Sequence, residues 1–283
     1  MGEEVMDRRT LIGGIAGASA LLAARPLLAA ERITDDDVAL TVGTRETRLF
    51  RVRPARPRGV VLFSTGHGSW PDRYAVLTRY LAAQGWAVLA PLHVDSMRYP
   101  DRAKFTMQAS FGERIADMGA AAAVAAKDYP GLPVIAVGHS FGTLVALCLG
   151  GALSYIAPFR MPAVKAVLGF STPGKIPGLV QPTAYTSLAV PAMIVTGTAD
   201  TVPGFVTDPA DHLFVGQTAG KAAYTLVAKD GGHELVADAV AMARVLPAVD
   251  LFVAAYGTGD AQALKKLQGW TAPAGDRFVV KAA

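Results

Sequence analysis

The residues best suited to chemistry in this chain are Gly138-His139-Ser140-Phe141-Gly142, a G-x-S-x-G pentapeptide. An apolar run, Val134 to Val137, precedes it, and a helix-forming run, Thr143 to Leu149, follows. Strand, sharp turn and helix form the setting in which this pattern exposes a nucleophilic serine. The two glycines leave room for a strained turn, and the helix that starts there points its positive end at the Ser140 hydroxyl.

A serine hydroxyl is a weak nucleophile at neutral pH. It needs a base to take its proton and a third group to orient that base. In this motif class the order along the chain is Ser, then Asp or Glu, then His. Of the five histidines, His67, His93, His139, His212 and His233, only His212 and His233 follow the serine. His233 lies in a glycine-flanked loop after the strand-like run Ala222 to Val227, and is the expected base. His212 has no strand directly before it and reads as a surface residue. Asp200 follows the apolar run Val190 to Gly197 and is the expected acid, accepting the imidazole N–H and fixing its tautomer. Asp208, Asp211 and Asp230 are weaker rivals.

An acyl-transfer site also needs amide donors for the charge that develops on the carbonyl oxygen. One is expected to be the N–H of Phe141, immediately after the serine. The other is expected in the loop Thr65 to Trp70, which follows the strand Val60 to Ser64. His67 N–H is the preferred donor there, and Gly68 is the alternative. Gly66, Gly68, Trp70 and His139 are the expected substrate neighbours. Trp70 could equally be a packed loop tryptophan.

These groups require a scaffold. Ala39 to Val52 alternates and predicts one or two strands. The spacing predicts helices over Asp72 to Gln84, Phe111 to Tyr129, Leu235 to Tyr256 and Asp260 to Leu267. Val164 to Phe170 reads as a buried strand and Ser96 to Ser110 as a polar loop. Ser171 to Ser187 holds Pro173, Pro177 and Pro182 without periodicity, in the place of a lid but short for one. Alternating strands and helices predict an α/β fold with a mostly parallel sheet covered on both faces.

The 283 residues are 52% hydrophobic and 18% charged, which suits one globular domain with a large core. A net charge of +4 without a long basic run argues against nucleic acid as a partner. Arg45, Arg48, Arg51, Arg53, Arg56 and Arg58 fall on an alternating stretch and read as a solvated sheet edge. The single cysteine, Cys148, reads as core packing. The histidines are scattered without ligand spacing, so neither a metal nor another cofactor is expected.

Residues 1–30 read as an export signal. Arg8-Arg9 opens an apolar segment that ends in small residues at Ala29-Ala30, a pattern read by the twin-arginine export machinery. Cleavage after Ala29 or Ala30 is expected, with an uncleaved anchor as the alternative. Residues 31–283 then form a single domain in the periplasm or outside the cell.

Gly66-His67-Gly68, Gly138 to Gly142, Gly197 to Asp200 and Gly232-His233 together resemble the α/β-hydrolase superfamily, over about Val60 to Leu267. Within it, Phe63 to Asp95 looks most like the dienelactone hydrolases and the bacterial cutinases or polyester hydrolases. Dienelactone hydrolases proper use cysteine where this chain has Ser140. The resemblance implies a serine ester hydrolase with a minimal lid, acting on a small-molecule or polymeric ester. Acyltransferase and amidase chemistry on the same machinery are the alternatives, and a noncatalytic binding protein of this fold is a further one.

Overall fold

The computed structural model describes residues 32–281; the expected export signal at residues 1–30 lies outside them. A nine-stranded sheet runs through the domain in the order β1-β2-β4-β3-β5-β6-β7-β8-β9. Its centre is β4 (Trp86–Pro91), β3 (Gly59–Ser64), β5 (Val134–His139), β6 (Val164–Phe170), β7 (Ala192–Ala199) and β8 (Ala223–Gly232), all parallel to one another. The edges are antiparallel: the hairpin β1 (Thr34–Val42) and β2 (Arg45–Arg53) on one side, and β9 (Arg277–Lys281) on the other. The fold is therefore the α/β architecture that the sequence predicts. The strand β9 was not foreseen: five residues with exposed valines give no clear two-residue alternation.

Side chains of the central strands alternate between two cores, as strand geometry requires. Val60 and Leu62 enter one core, with α2 (Met107–Asp128), α3 (Phe141–Leu149) and α4 (Phe214–Thr218). Val61 and Phe63 enter the other, with α1 (Ala75–Ala83), α5 (Ala239–Phe252) and α6 (Ala261–Gln268). Covering both faces explains why β3 and β4 are buried at every position.

Three boundaries differ from expectation for local reasons. The helix α2 starts at Met107 because the Thr106 hydroxyl accepts the Ala109 N–H, which shortens the predicted loop. The predicted helix from Leu235 is a 3-10 turn, Leu235–Ala237, followed by α5, because the Asp238 carboxylate caps Val240 and Ala241 N–H and starts a new helix. The helix α1 is likewise preceded by a 3-10 turn, Pro71–Tyr74. The edge arginines are paired as well as solvated: Arg48 with Asp37, Arg51 and Arg53 with Asp36, and Arg45 with Glu113 and Asp117.

Candidate active site

The strand β5 delivers Ser140 to the carboxyl edge of the sheet with φ 54° and ψ −118°, immediately before α3. A non-glycine residue at positive φ is strained and must be held by its surroundings. Ser140 N–H is bonded to Phe170 O at 3.0 Å, and Thr143 N–H to Ser140 O at 2.9 Å. Both elbow glycines are sterically required. A Cβ on Gly138 would lie 2.1 Å from Gly142 O, and one on Gly142 would lie 2.0 Å from Ser64 O.

Ser140 and His233 line one cleft of about 250 Å³. His233 follows directly on β8, which extends further than the sequence suggested. Its Nδ1–H donates to Asp200 Oδ1 at 2.7 Å, leaving Nε2 as the other ring nitrogen. Asp200 is buried at the end of β7 and is saturated with donors. Ser171 Oγ–H and Thr196 Oγ1–H reach its Oδ2 at 2.5 and 2.6 Å, and His212 Nε2 lies 3.0 Å from its Oδ1. Burial alone opposes ionisation of this carboxyl. The His212 and His233 hydrogen bonds outweigh it, and its pKa falls below the ordinary aspartate range.

His212 is the first residue that sequence reasoning misplaced. It is fully buried rather than on the surface. Its Nδ1 accepts the Thr172 backbone N–H at 3.1 Å, so its Nε2 carries the proton that faces Asp200. The turn Pro209–Leu213 aims it there, with Asp208 capping Ala210 N–H; a short 3-10 turn has no periodicity to signal this in sequence. Ser171 and Thr196 were also missed. Asp200, His212 and His233 thus bring three potential metal-donor groups within 4.8 Å of one another, contrary to the expectation from their spacing. Their facing atoms are spent on one another and on Thr172. This donor set fits a hydrogen-bond network better than a metal centre.

His139 reaches the cleft but is itself buried, and both its nitrogens are engaged. Nε2–H donates to His233 O at 2.9 Å, and Nδ1 accepts from Tyr74 O–H at 2.9 Å. Tyr74 Oη in turn accepts Gly66 N–H at 2.9 Å. Burial, followed by the charge of His233, pushes the His139 pKa down to about 3. It is a neutral strut joining the Gly66 loop, the elbow and the His233 loop. Tyr74 was visible in the sequence only as part of a helix face.

The two expected amide donors have distinct settings. Phe141 N–H opens α3 and has no intrahelical acceptor. In the other loop Gly68 N–H is occupied by Asp95 Oδ2 at 3.1 Å, which removes Gly68 as the alternative donor. Among the described residues, no hydrogen bond engages His67 N–H. Gly66 lines the cleft. Trp70 does not: it packs on Leu92, Val94 and Tyr99, with the Arg98 guanidinium 4.5 Å over its ring. The apolar walls are instead Phe141, Met107, Pro173, Ile176, Val202 and Phe205. Pro173 and Ile176 come from the short lid-like segment. Arg73 and Glu234 add a polar part to the lining, paired with each other at 3.0 Å.

An exposed-edge serine, an imidazole on a buried carboxylate and unpaired amides around one cleft make an arrangement competent for acyl transfer. Known proteins agree with the architecture. Residues 55–164 match the family described as serine aminopeptidase, S33. A dienelactone hydrolase from Anabaena variabilis superposes with a TM-score of 0.56 at 20% identity, over 75% of this chain and 94% of that one. A putative dienelactone hydrolase from Klebsiella pneumoniae gives 0.53 at 18%, over 73% and 90%. An acylaminoacyl peptidase from Pyrococcus horikoshii gives 0.56 at 11%, over 72% of this chain but 38% of its own. No curated protein matches the chain in sequence. The structural likenesses establish the α/β-hydrolase fold, and the family match supports a hydrolase.

Proposed function

We propose that the protein is an exported serine hydrolase that cleaves carboxylic esters through an acyl-enzyme on Ser140. The observation that carries this reading is the His233–Asp200 hydrogen bond at 2.7 Å, made in the cleft that Ser140 lines. His233 Nε2 takes the Ser140 proton as the hydroxyl oxygen attacks the ester carbonyl. Asp200 stabilises the imidazolium that forms, and its saturated hydrogen-bond shell keeps it a carboxylate. The amides of Phe141 and His67 receive the oxyanion. His233 returns the proton to the departing alcohol. Water, activated by the same imidazole, then releases the acid and restores Ser140. Nothing in this sequence of steps draws on a cofactor.

The apolar walls favour an ester with an aliphatic or aromatic acyl group, and a cleft of about 250 Å³ favours a short one. Export rests on the twin-arginine segment at Arg8-Arg9 and places the domain in the periplasm or medium. Fractionating cells that express the full chain tests it: a precursor retained in the cytoplasm would remove this part of the reading. The serine aminopeptidase match keeps one second reading, cleavage of an amide at the same serine. Comparing turnover of an acyl p-nitrophenyl ester with that of the matching p-nitroanilide separates the two.

A further inference from the structure

Beneath the Thr65–Trp70 loop lies a buried ion pair that the steps above do not use. Arg114 is fully buried on the inner face of α2, and Asp95 is nearly so. They bind side by side, Nε to Oδ1 at 2.8 Å and Nη2 to Oδ2 at 2.8 Å. The rest of the guanidinium is turned on the loop. Nη1 donates to Thr65 O at 2.5 Å and Nη2 to Gly66 O at 2.9 Å. Asp95 Oδ2 grips the next residues, accepting Gly68 N–H at 3.1 Å and His67 Nδ1–H at 2.9 Å.

A trans peptide sets its C=O and N–H in opposite directions, and the described chain has no cis bonds. Holding Thr65 O down on Arg114 turns Gly66 N–H away from it, where Tyr74 Oη accepts it. Holding Gly66 O down on Arg114 turns His67 N–H away in the same manner, and no hydrogen bond engages that amide among the described residues. The flanking amides of Gly66 and Gly68 are spent on Tyr74 and Asp95, and the His67 N–H between them is left for another acceptor. Asp95 compensates the charge of Arg114, which makes the pair a device of direction more than of field.

We propose that the Arg114–Asp95 pair positions the His67 amide as an oxyanion donor. The proposal rests on reading the cleft as an acyl-transfer site. Arg114 is a positioning residue, since it acts through the Gly66–His67 peptide. A donor aimed in advance at the developing charge works in the transition state and hardly at all in the ground state.

The test compares wild type with Arg114→Lys, which keeps a cation beside Asp95 but cannot span both carbonyls. Binding of an alkyl boronic acid, which forms a tetrahedral adduct on the serine, is measured beside binding of the matching carboxylic acid. Arg114→Lys should weaken the boronic acid, and lower kcat where esters turn over, by about 10²-fold, within the range of losing one oxyanion donor. Carboxylic acid binding and KM should stay within about threefold of wild type. Asp95→Asn, which loosens the same grip, should move the same quantities the same way. Wild-type amide NMR needs no variant: the boronic acid should shift His67 N–H strongly and leave Gly68 N–H in place. Equal loss of both ligands, unchanged boronic acid affinity, or a shift at Gly68 in place of His67 overturns the proposal. A boronic acid that binds wild type but not Ser140→Ala, on an enzyme inert towards esters, would sink the ester reading and leave this one standing. Boronic acid binding that ignores Ser140→Ala removes both.

Discussion

The imidazole of His212 lies 6.4 Å from that of His233, centroid to centroid, with 28° between their planes, because both rings bind Oδ1 of Asp200. The outer ring faces the cleft and the inner one is sealed in the protein. A carboxylate held by a neutral imidazole, two hydroxyls and His233 has little reason to take up a proton or to turn.

Replacing His212 therefore acts on Asp200. His212→Ala leaves Thr172 N–H unpaired and opens a cavity beside the carboxylate. A loss of about 2–4 kcal/mol in denaturant unfolding is expected from the unmet hydrogen bonds and the lost packing. Turnover should fall less than in Asp200→Ala, because the His233–Asp200 contact is retained. Equal turnover losses in the two variants would show that His212 matters as much as the acid itself.

Tyr74→Phe removes one oxygen and strands two buried groups, Gly66 N–H and His139 Nδ1. Urea unfolding should show a loss of about 1–3 kcal/mol. The variant should also lose turnover, since the Gly66 loop and the His233 loop are joined through this hydroxyl. Unchanged stability and turnover would mean that the strut carries nothing.

Stability should fall with acid in two successive windows. His139 is held at about 3, below the ordinary histidine value of 6.5, so between those values the unfolded chain binds a proton that the folded one does not. The free energy of unfolding then decreases as pH drops, by up to about 1.4 kcal/mol per unit. His93 is lowered as well, by burial and then by Arg114, and adds in the same direction. Asp95 and Asp200 are depressed below 3.8, so their contribution is intact above that value and is lost as pH falls below it. Denaturation midpoints from pH 7 to pH 4 check the first window. His139→Gln, which can still accept from Tyr74 and donate to His233 O, should flatten the curve there; an unaltered slope would contradict the assignment.

Phe205 is 45% exposed on the apolar wall, so its truncation should cost little stability and act on substrate choice. With each buried methylene worth about 0.8 kcal/mol, Phe205→Ala should lower kcat/KM for an octanoyl ester about tenfold relative to an acetyl ester. Parallel losses on both esters would place the acyl group elsewhere.

The parts that were legible in the sequence are those tied to local pattern. The elbow shows because a glycine pair and an apolar run must flank a strained serine. Asp200 and His233 show because each follows a recognisable strand. His212, Tyr74 and Arg114 were not found, because their roles come from contacts between distant segments. Arg114 left a trace that went unread: with Ser110, Asp117, Met118, Ala121 and Ala125 it lies on the buried face of α2. A cation on such a face needs a partner, and sequence alone does not say that the partner is Asp95. Trp70 stayed open between two readings for the converse reason, since a tryptophan beside a cleft loop looks alike whether it faces substrate or core; the structure packs it on Leu92, Val94 and Tyr99.

The central claim is that Ser140, served by His233, forms and releases an acyl group. The most direct measurement follows hydrolysis of p-nitrophenyl esters from acetate to dodecanoate by residues 31–283, beside the Ser140→Ala and His233→Ala variants. The account predicts turnover with an optimum at short to medium chains and a loss of about 10³-fold or more in each variant. Turnover that survives Ser140→Ala, or a wild type inert across the whole series, would contradict it.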